Sequence, residues 1–182
     1  MKVSLAILLI YLSFVLDFVV WPIGSEASTQ ALTKEASSFR RIGLWLVFIV
    51  SLAGYLAPLV IALIGWSDTA FNTWNLLSII GVSGAIFGRV ITTLGALTLK
   101  SSQSNLKTKS IFSFSRNPIS LGMYVTFLGL ILTCSEWWLL VAFIFYMINI
   151  DLKITLEERA LVTKYGRPYI EYKSKTPRYL LV

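Results

Sequence analysis

The feature that most constrains this chain is a series of apolar runs with few charges inside them: Val3 to Ile23, Ile42 to Trp66, Trp74 to Leu94 with Leu99 as its far limit, Pro118 to Thr133, and Trp137 to Leu156. About 20 consecutive apolar residues make a helix long enough to cross the hydrocarbon core of a bilayer. Composition agrees, since 56% of the 182 residues are hydrophobic and only 14% are charged, whereas a soluble domain carries about a quarter charged residues. A soluble core of this chain length cannot bury so much apolar surface, so the solvent for most of the chain is lipid. The expected fold class is an all-α membrane protein of about five transmembrane helices.

The first run has a competing reading. Lys2 before it and Ser25-Glu26-Ala27 after it are loosely like the flanks of a signal peptide. The run is long for such a segment and contains Asp17, so a retained helix is the expectation. Runs four and five are separated by little more than Cys134-Ser135-Glu136, which predicts a tight helical hairpin. Pro118 suits the first turn of its helix, and Pro22 lies near the end of the first.

The loops predict orientation. Lys34, Arg40 and Arg41 lie in the first loop, and Lys100, Lys107, Lys109 and Arg116 in the third. The tail holds Arg159, Lys164, Arg167, Lys173, Lys175 and Arg178, while loops two and four carry Asp68 and Glu136 and no Lys or Arg. Five spans put loops one and three and the tail on one side, and the positive-inside rule makes that side cytoplasmic, with the N-terminus outside. Trp66, Trp74, Trp137 and Trp138 then fall at the outer ends of spans, as an aromatic belt does. The net charge of +7 is explained by this bias rather than by nucleic-acid binding. Cys134 is the only cysteine and there is no histidine. The sequence therefore offers no disulfide framework, no thiolate metal site and no imidazole base or ligand.

Asp17, Arg89, Asp151 and Lys153 lie within or at the ends of apolar runs. An ionisable group at mid-bilayer costs about 2.5–3.5 kcal/mol on insertion scales, so each needs a reason. In the predicted orientation all four converge on the cytoplasmic leaflet. One reading is snorkelling plus a structural Asp17–Arg89 ion pair. The other is a cytoplasm-facing site that takes a soluble ligand from one side and a lipid-like ligand from the bilayer.

Two segments carry that second reading. In Ser115-Arg116-Asn117-Pro118-Ile119-Ser120-Leu121-Gly122-Met123, a fixed cation precedes a helix N-terminus opened by proline. Free N–H groups and the positive dipole end there suit a carboxylate or other anion, and Gly122 lets another backbone or a ligand approach closely. In the tail, Glu157 and Glu158 come directly off the fifth run, where a carboxylate can fix an ammonium, a hydroxyl or an arginine. Gly166-Arg167-Pro168 then breaks the helix, and Tyr169 and Tyr172 are expected to lie along the surface among lysines. An amphipathic anchor on anionic lipid explains that last stretch equally well.

Taken together, RNP-x-x-LG opening a helical hairpin, then EE-R-x-L-x-x-x-YG-x-x-Y-x-x-Y-K and a closing PRYL, resemble the isoprenylcysteine carboxyl methyltransferase and phospholipid methyltransferase superfamily, most of all its small prokaryotic members. The resemblance runs from Arg89 to Leu180, so the expected division is 1–88 as N-terminal transmembrane helices and 89–182 as a methyltransferase-like region, with a hairpin over 118–156 and a cytoplasmic tail over 157–182. It implies methyl transfer from S-adenosylmethionine to a lipid-like or prenylated acceptor, at the cytoplasmic face of a membrane that is expected to be a prokaryotic inner membrane. It also implies cofactor binding by Arg116, Asn117, Pro118, Gly122, Glu157, Glu158, Tyr169 and Tyr172, a catalytic set of Arg116, Asn117, Glu158 and Lys153, and no metal.

Three positions depart from the family pattern: Asn117 stands where many relatives have histidine, Ser120 where an aromatic is usual, and Lys153 where the carboxyl methyltransferases have arginine. Arginine and lysine are not equivalent for a bidentate carboxylate contact, so Lys153 weighs against a carboxyl acceptor. The rival readings are a non-catalytic membrane scaffold protein and a nicotinamide-dependent membrane reductase of the steroid-reductase type. A transporter is disfavoured because no inverted repeat is present.

Overall fold

The computed structural model describes residues 2–20, 38–100, 106 and 108–180, with backbone alone for 15–20, 38–42, 44 and 100. Among these residues the regular structure is entirely helical: α1 (Val3–Val20), α2 (Ser38–Ile64), α3 (Leu76–Lys100), α4 (Pro118–Cys134), α5 (Leu139–Tyr165) and α6 (Arg167–Lys175), with short 3₁₀ turns at Gly65–Ser67 and Ser110–Ser113. Among the described residues, three segments are long and apolar enough to cross a membrane: Trp45–Ser67, Leu76–Leu99 and Leu139–Tyr165. Val3–Phe14 and Pro118–Cys134 are shorter apolar helices.

The helices follow the apolar runs because a backbone in lipid must satisfy its own N–H and C=O groups. Their outer faces carry large exposed side chains such as Leu46, Ile49, Ile86, Val141 and Ile144, the reverse of a soluble domain. Proline at the first position starts α4, and Ser135 in the left-handed region (φ 56°) ends it. α5 runs past the apolar stretch to Tyr165, since Glu157 to Leu161 are good helix formers. Gly166 at φ +60° stops it, its N–H bonding the Val162 carbonyl at 2.9 Å.

Although α4 and α5 are joined by a short turn, the most extensive pairing is between α3 and α4, and α2 pairs with α5. Glycine is the cause. A Cβ placed on Gly122 of α4 meets the Gly88 carbonyl at 2.5 Å and Thr92 Oγ1 at 2.4 Å, and one placed on Gly129 meets the Gly81 carbonyl at 2.5 Å. The bare backbones of α3 and α4 therefore touch, as small-residue interfaces allow in lipid. Between α2, α4 and α5 lies an aromatic core in which Tyr55 stacks on Tyr146 with centroids 5.1 Å apart and Phe127 stands edge-on to both.

α1 packs on α2 and α3, with Val3, Ile7 and Ile10 buried. Asn72, between α2 and α3, accepts the Ser4 N–H at 3.1 Å, filling one of the donors left open at a helix start. Arg89 is buried in α3. It donates to Ser13 Oγ and to the Ser13 carbonyl at 2.8 and 3.0 Å, and its guanidinium lies 3.8 Å from the Phe14 ring centre. The Asp17 side chain expected beside it lies outside the described residues.

Candidate active site

The third loop and the end of the chain meet at one end of the bundle. The Arg116 N–H bonds the Pro177 carbonyl at 2.9 Å and the Asn117 N–H bonds the Arg178 carbonyl at 3.2 Å. Ser115 Oγ donates to that same Arg178 carbonyl at 3.0 Å. This short backbone pairing puts the chain's closing residues against the start of α4.

Beneath the pairing sits a charged cluster built around Glu158, which is 4% exposed. Arg178 reaches both of its oxygens, through Nε at 3.3 Å and Nη2 at 3.1 Å. Lys173 Nζ lies 3.1 Å from Oε2 and Arg116 Nη1 lies 3.4 Å from Oε1. Arg178 also donates through Nη1 to Asp151 Oδ1 at 2.9 Å, so one guanidinium bridges two carboxylates seven residues apart on α5. Asp151 Oδ1 further accepts the Tyr179 hydroxyl at 3.2 Å, and that hydroxyl lies 3.2 Å from Tyr124 Oη.

Arg116, Lys173 and Arg178 against Glu158 and Asp151 leave one positive charge in excess. Arg116 supplies the opening for an anion. Its side chain is only 10% exposed; among the described residues Nε and Nη1 are buried without a hydrogen bond, Nη1 having only the Glu158 ion pair at 3.4 Å, and a buried N–H without an acceptor costs free energy. The first turn of α4 adjoins it, and Asn117 makes no side-chain cap there. Excess positive charge, unmatched guanidinium N–H groups and an uncapped helix start together suit a carboxylate.

Six of the candidate residues named from the sequence gather here. Arg116, Asn117 and Pro118 form the loop and the start of α4, Glu158 comes from α5, and Tyr169 and Tyr172 come from α6. Both tyrosines are buried, at 2% and 9% exposure, which corrects the expectation that they lie along the surface. α6 is amphipathic, so spacing of three turns the two rings to one side, against the third loop. Tyr172 donates its hydroxyl to the Phe112 carbonyl at 2.7 Å, and Tyr169 neighbours the Arg116 guanidinium. Burial pushes the Tyr172 phenol up to about 12 and raises Tyr169 as well.

Three others stand apart. Lys153 and Glu157 pair with each other at 3.9 Å on a half-exposed face of α5, outside the Glu158 cluster. Gly122 is buried with its bare side against α3. The site in turn contains residues to which the sequence alone does not point. Arg178 and Tyr179 lie within the PRYL segment, but nothing local in the sequence pairs them with α5. Lys173 reads as one more tail lysine, and Tyr124 as an apolar helix residue.

The phospholipid methyltransferase family model matches residues 60–168. That segment contains Arg116, Asn117, Pro118, Asp151 and Glu158 and stops just short of Tyr169. No curated protein and no solved structure matches. The match covers more than half of the chain, and the chain belongs to the phospholipid methyltransferase family.

Proposed function

We propose that this member of the phospholipid methyltransferase family takes S-adenosylmethionine as its methyl donor at the start of α4 and methylates a lipid-like acceptor from the adjoining leaflet. The observation that carries this reading is the buried Arg116 guanidinium, whose Nε and Nη1 make no hydrogen bond among the described residues, beside an uncapped helix start. Arg116 and the first-turn amides of α4 are suited to the donor's carboxylate. Glu158 acts through Arg116, holding that cation and the tail in place, and the half-exposed Glu157 is the acid left to meet an ammonium or a ribose hydroxyl. Asn117 and Pro118 fix the loop that carries Arg116, and buried Tyr169 and Tyr172 wall the site against water.

When bound, the cofactor supplies a sulfonium methyl group: an acceptor lone pair forms the new bond as the C–S bond breaks and its electron pair stays on sulfur as a neutral thioether. The chain's contribution is alignment and exclusion of water. A thiolate or carboxylate acceptor needs no base, and an amine must first give up a proton.

The reading includes a topology. α1 and α4 join the three long helices to make five crossings, with the N-terminus outside and the third loop and tail in the cytoplasm of a prokaryotic cell. Its support is the loop bias of Lys and Arg and the pairing of the third loop with the tail. Residues 89–182 then form the catalytic region, with 1–88 as its membrane base.

Labelled-methyl transfer from S-adenosylmethionine into membrane extracts, followed by identification of the labelled species, tests the activity. A labelled lipid-like product that disappears in Arg116→Ala is the expected outcome. Labelling at the level of protein-free extract overturns the proposal.

A further inference from the structure

Ser115 is enclosed, at 1% exposure, and its hydroxyl makes two contacts at once. The oxygen accepts the Asn117 N–H at 3.2 Å, and the proton goes to the Arg178 carbonyl at 3.0 Å. The first contact closes a turn in which a serine oxygen meets the N–H two residues on, which fixes the backbone of the residue between them. That residue is Arg116, whose own N–H bonds the Pro177 carbonyl at 2.9 Å. The rotamers open to a side chain depend on its φ and ψ, so the turn governs where the Arg116 guanidinium points.

The second contact joins that turn to the tail, and the tail returns to the same arginine by another route. Arg178, whose carbonyl the hydroxyl meets, holds Glu158 through its guanidinium at 3.3 and 3.1 Å, and Glu158 faces Arg116 Nη1 at 3.4 Å. Arg116 is thus steadied from its backbone through Ser115 and from its side chain through Glu158, and both routes end on one residue of the tail. The Asn117 N–H at 3.2 Å and Nδ2 at 3.5 Å also reach the Arg178 carbonyl. Loss of the serine hydroxyl therefore leaves that carbonyl satisfied and the tail attached, and removes the clamp on the turn.

We infer that Ser115 is a positioning residue, whose hydroxyl converts docking of the tail into a fixed direction for the Arg116 guanidinium. Its part in donor binding rests on the methyl-transfer reading, while the positioning itself stands on the hydrogen bonds of Ser115. A guanidinium already held in place loses less side-chain freedom when it takes a carboxylate. Ser115 touches no ligand in this account and acts through Arg116 alone.

The test uses the whole protein in dodecylmaltoside micelles with phenylglyoxal, which modifies arginine side chains that reach solvent. Peptide mass spectrometry follows the rates at Arg116 and at Arg89, which is buried in α3 against α1 and serves as the internal control. The net worth of a buried hydrogen bond corresponds to a factor of about five to ten. Ser115→Ala should raise the Arg116 rate by about that factor and leave Arg89 unchanged, and Ser115→Thr, which keeps the hydroxyl, should hold the wild-type rate. An unchanged Arg116 rate in Ser115→Ala, or equal acceleration of both arginines, overturns the inference. Equilibrium dialysis of labelled S-adenosylmethionine on the same samples should show a similar loss of affinity in Ser115→Ala, and no further loss when that change is added to Arg116→Ala, because the effect passes through the arginine. Additive losses contradict positioning. Absence of binding by the wild type contradicts the methyl-donor reading alone, and the modification rates then decide the role of Ser115.

Discussion

Replacing Glu158 with glutamine removes one negative charge at almost constant volume, and the structure sets how much that matters. Breaking a buried ion pair costs about 3–5 kcal/mol, because the partner is left as an uncompensated charge, while exposed pairs contribute about 0–1 kcal/mol. Of the three cations on Glu158, Arg116 is 10% exposed, Arg178 30% and Lys173 45%. The Arg116 contact at 3.4 Å is an ion pair without aligned hydrogen-bond geometry, so it counts below the full buried value. Arg178 retains Asp151, which also moderates the loss. The tail latch should therefore weaken by about 2–3 kcal/mol, a roughly 30- to 150-fold rise in the undocked population at 1.36 kcal/mol per factor of ten.

Hydrogen exchange reads this directly. The Arg116 and Asn117 amides are protected by the Pro177 and Arg178 carbonyls, and their exchange tracks undocking of the tail. Their protection should fall by the stated factor in Glu158→Gln, with amides in the middle of α3 unchanged. Equal protection in variant and wild type would refute the ion-pair latch.

Gly122→Val should lower the unfolding midpoint of the solubilised protein by several degrees, since overpacking costs about 1–3 kcal/mol and each kcal/mol is worth about 2–4 °C at this size; an unchanged midpoint contradicts backbone contact between α3 and α4. Tyr172→Phe should lose the bond to the Phe112 carbonyl. Because the folded phenol titrates at about 12 against an ordinary tyrosine value of 10.0, the stability it adds is complete below pH 10 and lost as pH rises toward 12. The stability difference between wild type and Tyr172→Phe should therefore shrink across that window, and a difference independent of pH there contradicts a buried neutral phenol.

The helices were legible because their signal is local. Runs from Val3, Trp74 and Pro118 begin within two residues of α1, α3 and α4, and the run ending at Thr133 stops one residue short. The convergence of Arg116 with Glu158 was expected from loop parity, since both lie at the same end of neighbouring apolar runs. What parity cannot supply is the choice of partner. Lys153 and Glu158 have equal standing along α5 when read as sequence, and only the path of the tail decides that Glu158 receives the cations while Lys153 turns to Glu157. The inward turn of Tyr169 and Tyr172 depends on the third loop, which offers the Phe112 carbonyl. The α3–α4 pairing did leave a trace, in that Gly81 and Gly88, and again Gly122 and Gly129, are seven apart, a spacing that keeps small residues on one helix face.

The central claim is that the start of α4 and the tail together hold a soluble methyl donor, and equilibrium binding of S-adenosylmethionine to the purified protein tests it most directly. The wild type should bind it at one site, with affinity reduced about 30- to 150-fold in Arg116→Ala, given about 2–3 kcal/mol for a charge-assisted contact whose loss leaves a buried carboxylate unmatched. Absence of binding by the folded wild type, or equal affinity in Arg116→Ala, would contradict the account.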